Sequence, residues 1–283
     1  MAKEYLEITE EIGVARIDKL IADTFPQYSR SALSKLFLMN LIKRDGISLR
    51  PGEKVRPGAV IEYDLGPLQE TPDVIPLPII YEDDNITVVN KPAGIISHAR
   101  GRFWQEASVA SFIRDRISGM EGERGGIVHR LDRATSGVMI CARNEASLKF
   151  FQKQFHDRLV LKSYIAITSV CPKEKEAKII AAIARNLKDP KTFHVNTTGK
   201  IAETHYKVLK EEKKRYTVEL KPKTGRTHQL RVHLNYINCP IIGDELYGGD
   251  KNVRLLLHAH KLTIKLPDGK SKTFTAPLPE EFK

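Results

Sequence analysis

The sequence predicts an α+β protein in two parts. A small α/β N-terminal module comes first, and then a larger domain on a largely antiparallel, mixed β-sheet with flanking helices. Three observations carry this. A proline-rich stretch over residues 65–78 divides the 283-residue chain. Two short amphipathic helix patterns precede it, and mostly strand-like segments follow it. The length suits one large and one small domain, each with its own core.

Before the divide, Ile17, Leu20 and Ile21 fall at i, i+3, i+4 spacing, which predicts a helix over 15–24 closed by Pro26. Ser29 is a natural N-cap for "RSALSKLFLMN", whose Leu33, Leu36, Phe37 and Leu41 form one apolar stripe. "DGISLRPGEKVRPG" reads as turn-rich hairpin material and "AVIEYD" as a strand. "LGPLQETPDVIPLPI" holds Pro67, Pro72, Pro76 and Pro78 without helical periodicity. It reads as an extended, stiff linker, giving domains at 1–64 and 79–283.

After the divide, "NITVVNKPAG" reads as a strand ending in a turn. "NEASLKFFQKQFHDR" is a helix that Asn144 can cap, with Glu145 suited to the N-terminal dipole and Leu148, Phe151 and Phe155 on one face. "KSYIAIT", "ETHYKVLK", "RYTVELK" and "HKLTIKL" read as strands. "KPKTGRTHQLRVHLNYI" reads as a turn and then a helix from Thr227, with Leu230, Leu234 and Ile237 on one side and His228 and Arg231 on the other. Many strands and few helices argue against a doubly wound fold.

The chain carries a net charge of +11 and a pI near 9.4, a surplus that favours polyanions, above all nucleic acid. Charge is concentrated in residues 30–56, where Arg30, Lys35, Lys43, Arg44, Arg50, Lys54 and Arg56 face only Asp45 and Glu53. Such a face can neutralise backbone phosphates, although a charge run is often only a solvated surface. Three scattered cysteines fit a reducing cytoplasm and give no zinc framework. The N-terminus is not patterned as a signal peptide, and "IIAAIA" is too short to cross a bilayer, so a cytoplasmic protein without membrane attachment is expected. Nothing calls for an obligate protein partner, and a monomer is expected.

Several chemistries lack their motifs. There is no phosphate loop, no GxGxxG, no HExxH and no GxSxG. His228 and His233 are five apart, which does not align two rings on a helix. Neither a cofactor nor a metal is expected. What remains is "GGIVHRLDRATSGV", which sets Asp132 between Arg130 and Arg133, with His129 just upstream, on a polar connection between two apolar runs. A carboxylate on a short loop between core strands is well placed to act on a ligand. The competing stretch crowds Arg226, His228, Gln229 and Arg231 at a helix start, where free N–H groups favour anions.

Together these stretches resemble the RluA-type pseudouridine synthases of ribosomal RNA. "HRLDRATSG" matches that family's catalytic motif, "LKSYIA" its Lys-x-Tyr strand and "TGRTHQLRVH" its third motif. "NKPAG", "GDELYGG" and "LLLHAHKL" also fall in family order. The run "RIDKLI…SRSALSKLF" resembles the S-four-like RNA-binding domain. These resemblances imply that Asp132 is the nucleophile, Tyr164 the residue contacting the target base, and Arg231 the partner of the aspartate.

The chemistry is consistent with those roles. Isomerising uridine breaks the bond between ribose and the base nitrogen, turns the base over and rejoins it through carbon. It needs a carboxylate that is ionised yet poorly solvated, and a neighbouring guanidinium favours the ionised form. A uridine must leave its stack to reach such a group. Arg130 is expected to stabilise the vacated space, and Arg133 either contacts phosphate or is simply solvated. Ribosomal RNA of the large subunit is the expected substrate, with transfer RNA as the alternative. Two other readings stand beside this one. A non-catalytic RNA-binding or ribosome-assembly factor would not require the Asp132, Tyr164 and Arg231 set. A nucleoside or glycoside hydrolase would need a second carboxylate that the motifs lack.

Overall fold

The computed structural model describes residues 3–70, 73–99, 106–120 and 124–282. They fall into two compact units, Met1–Asp73 with Ala99–Glu106, and Val74–His98 with Ala107–Lys283.

The first unit packs helices α1 (Ile17–Thr24) and α2 (Arg30–Leu38) with six short strands. These are β1 (Glu4–Glu7), β2 (Ala15–Arg16), β3 (Ile42–Arg44), β4 (Ile47–Ser48), β5 (Lys54–Val55) and β6 (Val60–Tyr63). A four-stranded sheet runs β1-β6-β3-β4, and β2 pairs with β5. Ser29 caps α2 as expected, its hydroxyl accepting from the Ala32 N–H at 3.3 Å. Asp45 and Gly46, both at positive φ, turn β3 into β4, the geometry that matches strand twist. Ile17, Ile21, Leu33, Leu36, Phe37 and Ile61 form the core, each at most 4% exposed. Arg30, Lys35, Arg50, Lys54 and Arg56 are exposed, whereas Lys43 and Arg44 are half-buried.

The stretch expected to be an extended linker departs from that reading. Gly66–Gln69 forms a helical turn, α3, and Leu65 and Leu68 sit in the first unit's core. Pro67 suits a first turn, where its missing N–H costs nothing, and the Asp64 carboxylate accepts the Gly66 N–H at 2.7 Å. Leu77, in turn, belongs to the core of the second unit.

The second unit is built on one ten-stranded sheet. Its strands are β7 (Ile79–Glu82), β8 (Ile86–Lys91), β9 (Ser136–Ala142), β10 (Leu161–Thr168), β11 (Glu176–Arg185), β12 (Phe193–Val195), β13 (Lys200–Glu212), β14 (Arg215–Pro222), β15 (Leu257–Lys265) and β16 (Ser271–Thr275). The order is β12-β11-β13-β14-β10-β15-β9-β8-β7, with β16 also on β15. Helices α4 (Val109–Ile113), α5 (Glu145–His156) and α6 (Gln229–Tyr236) complete the α+β architecture. The apolar run within 179–184 is the middle of β11.

The strand pairings are antiparallel except that of β9 with β15. Along one edge of β15, His258 and Ala259 meet β9, while Lys261–Lys265 meet β16. This branch point requires a glycine. Gly137 has φ +120°, and a Cβ there would collide with the Ala259 backbone. Among the described residues no helix is long and apolar enough to cross a membrane.

Candidate active site

Asp132 lies on the connection immediately before β9, at the wall of an open cleft of about 660 Å³ including its solvent-filled mouth. Both sides of the residue are pinned. The Leu131 N–H donates to Ser97 Oγ at 3.0 Å, and the same hydroxyl donates back to the Leu131 carbonyl at 2.8 Å. On the other side the Arg133 carbonyl accepts from the Gly94 N–H at 2.8 Å and from Lys91 Nζ at 3.3 Å. Lys91 is fully buried and also donates to the carbonyls of Pro92 (2.9 Å) and Ile95 (2.7 Å). Burial pulls its pKa down to about 7, although the nearby Asp132 charge favours the ammonium. The "NKPAG" turn therefore acts as a clamp on the loop that carries the carboxylate.

The Asp132 side chain is 24% exposed, and its nearest cation-forming neighbour is His228, Nε2 to Oδ2 at 4.0 Å. His228 caps α6 in the left-handed conformation, φ 55°. That is why the helix begins at Gln229 rather than at Thr227 as expected. The His228 ring is held through Nδ1 to the Tyr247 hydroxyl at 2.8 Å, and that hydroxyl accepts the Phe193 N–H at 2.9 Å. Burial lowers the His228 pKa, Asp132 opposes the shift and Arg231 adds to it, so the ring is neutral at pH 7.

Arg231 does not pair with Asp132 as expected. Its guanidinium forks onto Asp244, Nε to Oδ2 at 2.8 Å and Nη2 to Oδ1 at 2.6 Å. Both partners are buried, and Arg231 also lies 4.9 Å from the Tyr247 ring centroid. Burial works against the charge, but Asp244 and the more distant Asp132 outweigh it and raise the arginine's pKa. The planar fork is spent on a carboxylate with better geometry, so Asp132 feels Arg231 as a field, not as a partner. Both residues nevertheless line the same cleft.

Tyr164, on β10, also lines the cleft, and burial together with the Asp132 charge pushes its phenol well above the usual range. Arg130 and Arg226 are also cleft-lining residues. Arg130 is exposed, and Arg226 Nε reaches the Ile201 carbonyl at 3.3 Å. Arg133 is exposed.

Two further residues expected to contact substrate have polar atoms committed within the protein, although Gln229 also lines the cleft. His129 stacks on Phe155 at 4.5 Å, and its Nε2 accepts the Ile140 N–H at 3.1 Å. Burial holds its pKa down to about 3, so it is neutral and committed to the backbone of β9. The Gln229 amide is saturated: Oε1 accepts from Thr224 Oγ1 and the Arg226 N–H, and Nε2 donates to the Glu203 carbonyl and Thr204 Oγ1. His258 is likewise internal, with Nδ1 2.8 Å from Ser136 Oγ. Among the described residues no group of three or more His, Cys, Asp or Glu is placed to hold a metal ion.

Sequence reasoning missed the roles of Asp244, Tyr247, Lys91 and Ser97. "GDELYGG" and "NKPAG" were visible as motifs, but nothing in their spacing says which distant side chain each one holds.

The Asp132 carboxylate, held on its loop before β9, thus shares one cleft with a tyrosine and three arginines, Arg130, Arg226 and Arg231. The sequence profile of RNA pseudouridylate synthases matches residues 85–236. The chain is 37% identical to ribosomal large subunit pseudouridine synthase D of Borreliella burgdorferi, over 98% of this chain and 90% of that one. It is 39% identical to an RNA pseudouridine synthase of Aquifex aeolicus, over 87% and 80%. Among solved structures, human RNA pseudouridylate synthase domain containing 1 superposes with a TM-score of 0.60 at 29% identity, covering 74% of this chain and 86% of that one. The chain belongs to the RNA pseudouridylate synthase family and is an isomerase.

Proposed function

We propose that this enzyme isomerises uridines of large-subunit ribosomal RNA, with Asp132 as the nucleophile. The observation that carries the reading is the pinned Asp132 carboxylate at the wall of a cleft shared with Tyr164 and Arg231. Relatives named as ribosomal large subunit pseudouridine synthases support the substrate.

In this reading the Asp132 carboxylate attacks ribose C1′, and the N1–C1′ bond breaks with its electron pair going to the base. The base turns until C5 faces C1′. The C5–C1′ bond forms as the ester to Asp132 breaks and returns the carboxylate. C5 then loses its proton and N1 gains one, so nothing is oxidised or reduced. Each half of the exchange is easier than a direct migration would be. Tyr164, its phenol kept neutral, supplies an apolar face for the base. Arg231, held by Asp244, supplies a fixed positive field that stabilises negative charge during the exchange. The exposed cations of residues 30–56 would add affinity for backbone phosphate, as an S-four-like domain over residues 1–64 would. The soluble site of action expected is the cytoplasm.

Mapping pseudouridine in total RNA from cells with and without the gene tests this reading. Large-subunit ribosomal sites should disappear. Loss confined to transfer RNA would overturn the substrate assignment.

A further inference from the structure

Alternation along β10 puts Lys162 and Tyr164 on one face, and both line the cleft. Ser163, between them, points to the other face and donates to Glu219 Oε1 at 2.8 Å. Lys162 is half-buried, yet among the described residues its ammonium makes neither a hydrogen bond nor an ion pair. Other lysines of the same sheet are paired, Lys207 with Glu176 at 2.7 Å and Lys221 with Glu219 at 2.8 Å. The titratable group that feels Lys162 is His129, and its Nε2 is already committed to the Ile140 N–H. Asp132 acts on Tyr164 and His228, whereas burial alone acts on Lys162 and pulls its pKa down.

A cation drawn from water without a counter-charge is costly to the free protein. It becomes favourable once an anion arrives, and an ammonium binds phosphate as a point charge with three donors. RNA offers one phosphate per nucleotide. A uridine turned into this cleft remains joined to the phosphates on either side of its ribose. We propose that Lys162 anchors a backbone phosphate flanking the target uridine, so that one face of β10 reads base and backbone two residues apart. This inference rests on the reading that the Asp132 cleft receives the uridine.

The test compares the full-length wild type with Lys162→Met and Lys162→Arg. The probe is an unmodified large-subunit ribosomal RNA transcript with uridine tritiated at C5, since isomerisation releases that hydrogen to water. Lys162→Met should raise the half-saturating RNA concentration about tenfold, while turnover at saturating RNA changes much less. The slope of log affinity against log salt should become shallower by about 0.7, one phosphate contact on a single strand. The melting temperature of free Lys162→Met should equal or exceed that of the wild type, because an uncompensated charge has been removed. Lys162→Arg should keep the wild-type slope and half-saturation. An unchanged slope in Lys162→Met overturns the proposal, and so does a lowered melting temperature with lost turnover at unaltered affinity. Wild-type protein that binds but releases no tritium would sink the substrate reading, and the slope comparison would still decide the role of Lys162.

Discussion

Asp244→Asn removes one charge of the Arg231 pair while keeping the shape of the side chain. Arg231 is 5% exposed and Asp244 1%, and two short hydrogen bonds join them. Removing one partner of such a pair leaves an uncompensated buried charge, a loss of about 3–5 kcal/mol. The Tyr247 ring, 4.9 Å from the guanidinium carbon, faces Arg231 in wild type and variant alike and does not offset this loss. The melting temperature should fall by about 10 °C for a unit of this size. Arg231→Met alone should cost a similar amount by stranding Asp244. The double variant Arg231→Met with Asp244→Leu removes both charges and should melt near the wild type. All three should lose isomerisation, because none presents a fixed guanidinium to the cleft. Thermal denaturation of the four proteins with tritium release from C5-labelled RNA forms the assay. An Asp244→Asn protein that melts within about 2 °C of the wild type would refute the burial argument. So would a double variant less stable than both singles.

Gly137→Ala should be severely destabilising, since φ +120° excludes a Cβ and the Ala259 backbone occupies its place; soluble, fully active protein at wild-type melting temperature would contradict the account of the branch point. Stability should fall with acid. An unfolded imidazole protonates near its ordinary 6.5, whereas folded His129 and His258 stay neutral down to about 3 and about 4, so between those values the unfolded chain binds more protons. Two such groups give about 3 kcal/mol between pH 6.5 and 5. Urea titrations over that range check it, and His129→Gln should remove about half of the slope. A chain beginning at Val74 should fold and isomerise at high RNA concentration, with weaker binding and a shallower salt slope than the full-length protein. Equal slopes would make the N-terminal charges a solvated surface, and failure to fold would mean that the two units are not separable.

Local chemistry was legible where a residue acts on its sequence neighbours. Ser29 and Asn144 cap the helices they were expected to cap, because a cap is a contact three residues long. The α+β class was legible from strand patterning, and the Asp132 loop from its apolar flanks. Strand β1 was not, since Tyr5 and Leu6 sit among acids and the strand exists only because β6 pairs with it. The turn at Gly66–Gln69 was hidden by Pro67, which signals extension by composition but also suits a helix start. His129 and Gln229 were expected to contact substrate, and Arg231 to pair with Asp132, because their polarity is visible in sequence. Their internal partners Ile140, Glu203 and Asp244 come from other segments and are visible only in the fold. Asp132 and Arg231 share a cleft, as the motifs implied, but the carboxylate that grips the arginine is a different one.

In the proposed function Asp132 carries the reaction and does not carry the fold. Asp132→Asn keeps size and polarity, and the nearest cation-forming group to the carboxylate is 4.0 Å away, so the melting temperature should stay at the wild-type value. The full-length variant should bind the ribosomal transcript as the wild type does and release no tritium from C5-labelled uridine. Tritium release near the wild-type rate by the purified variant would contradict the account.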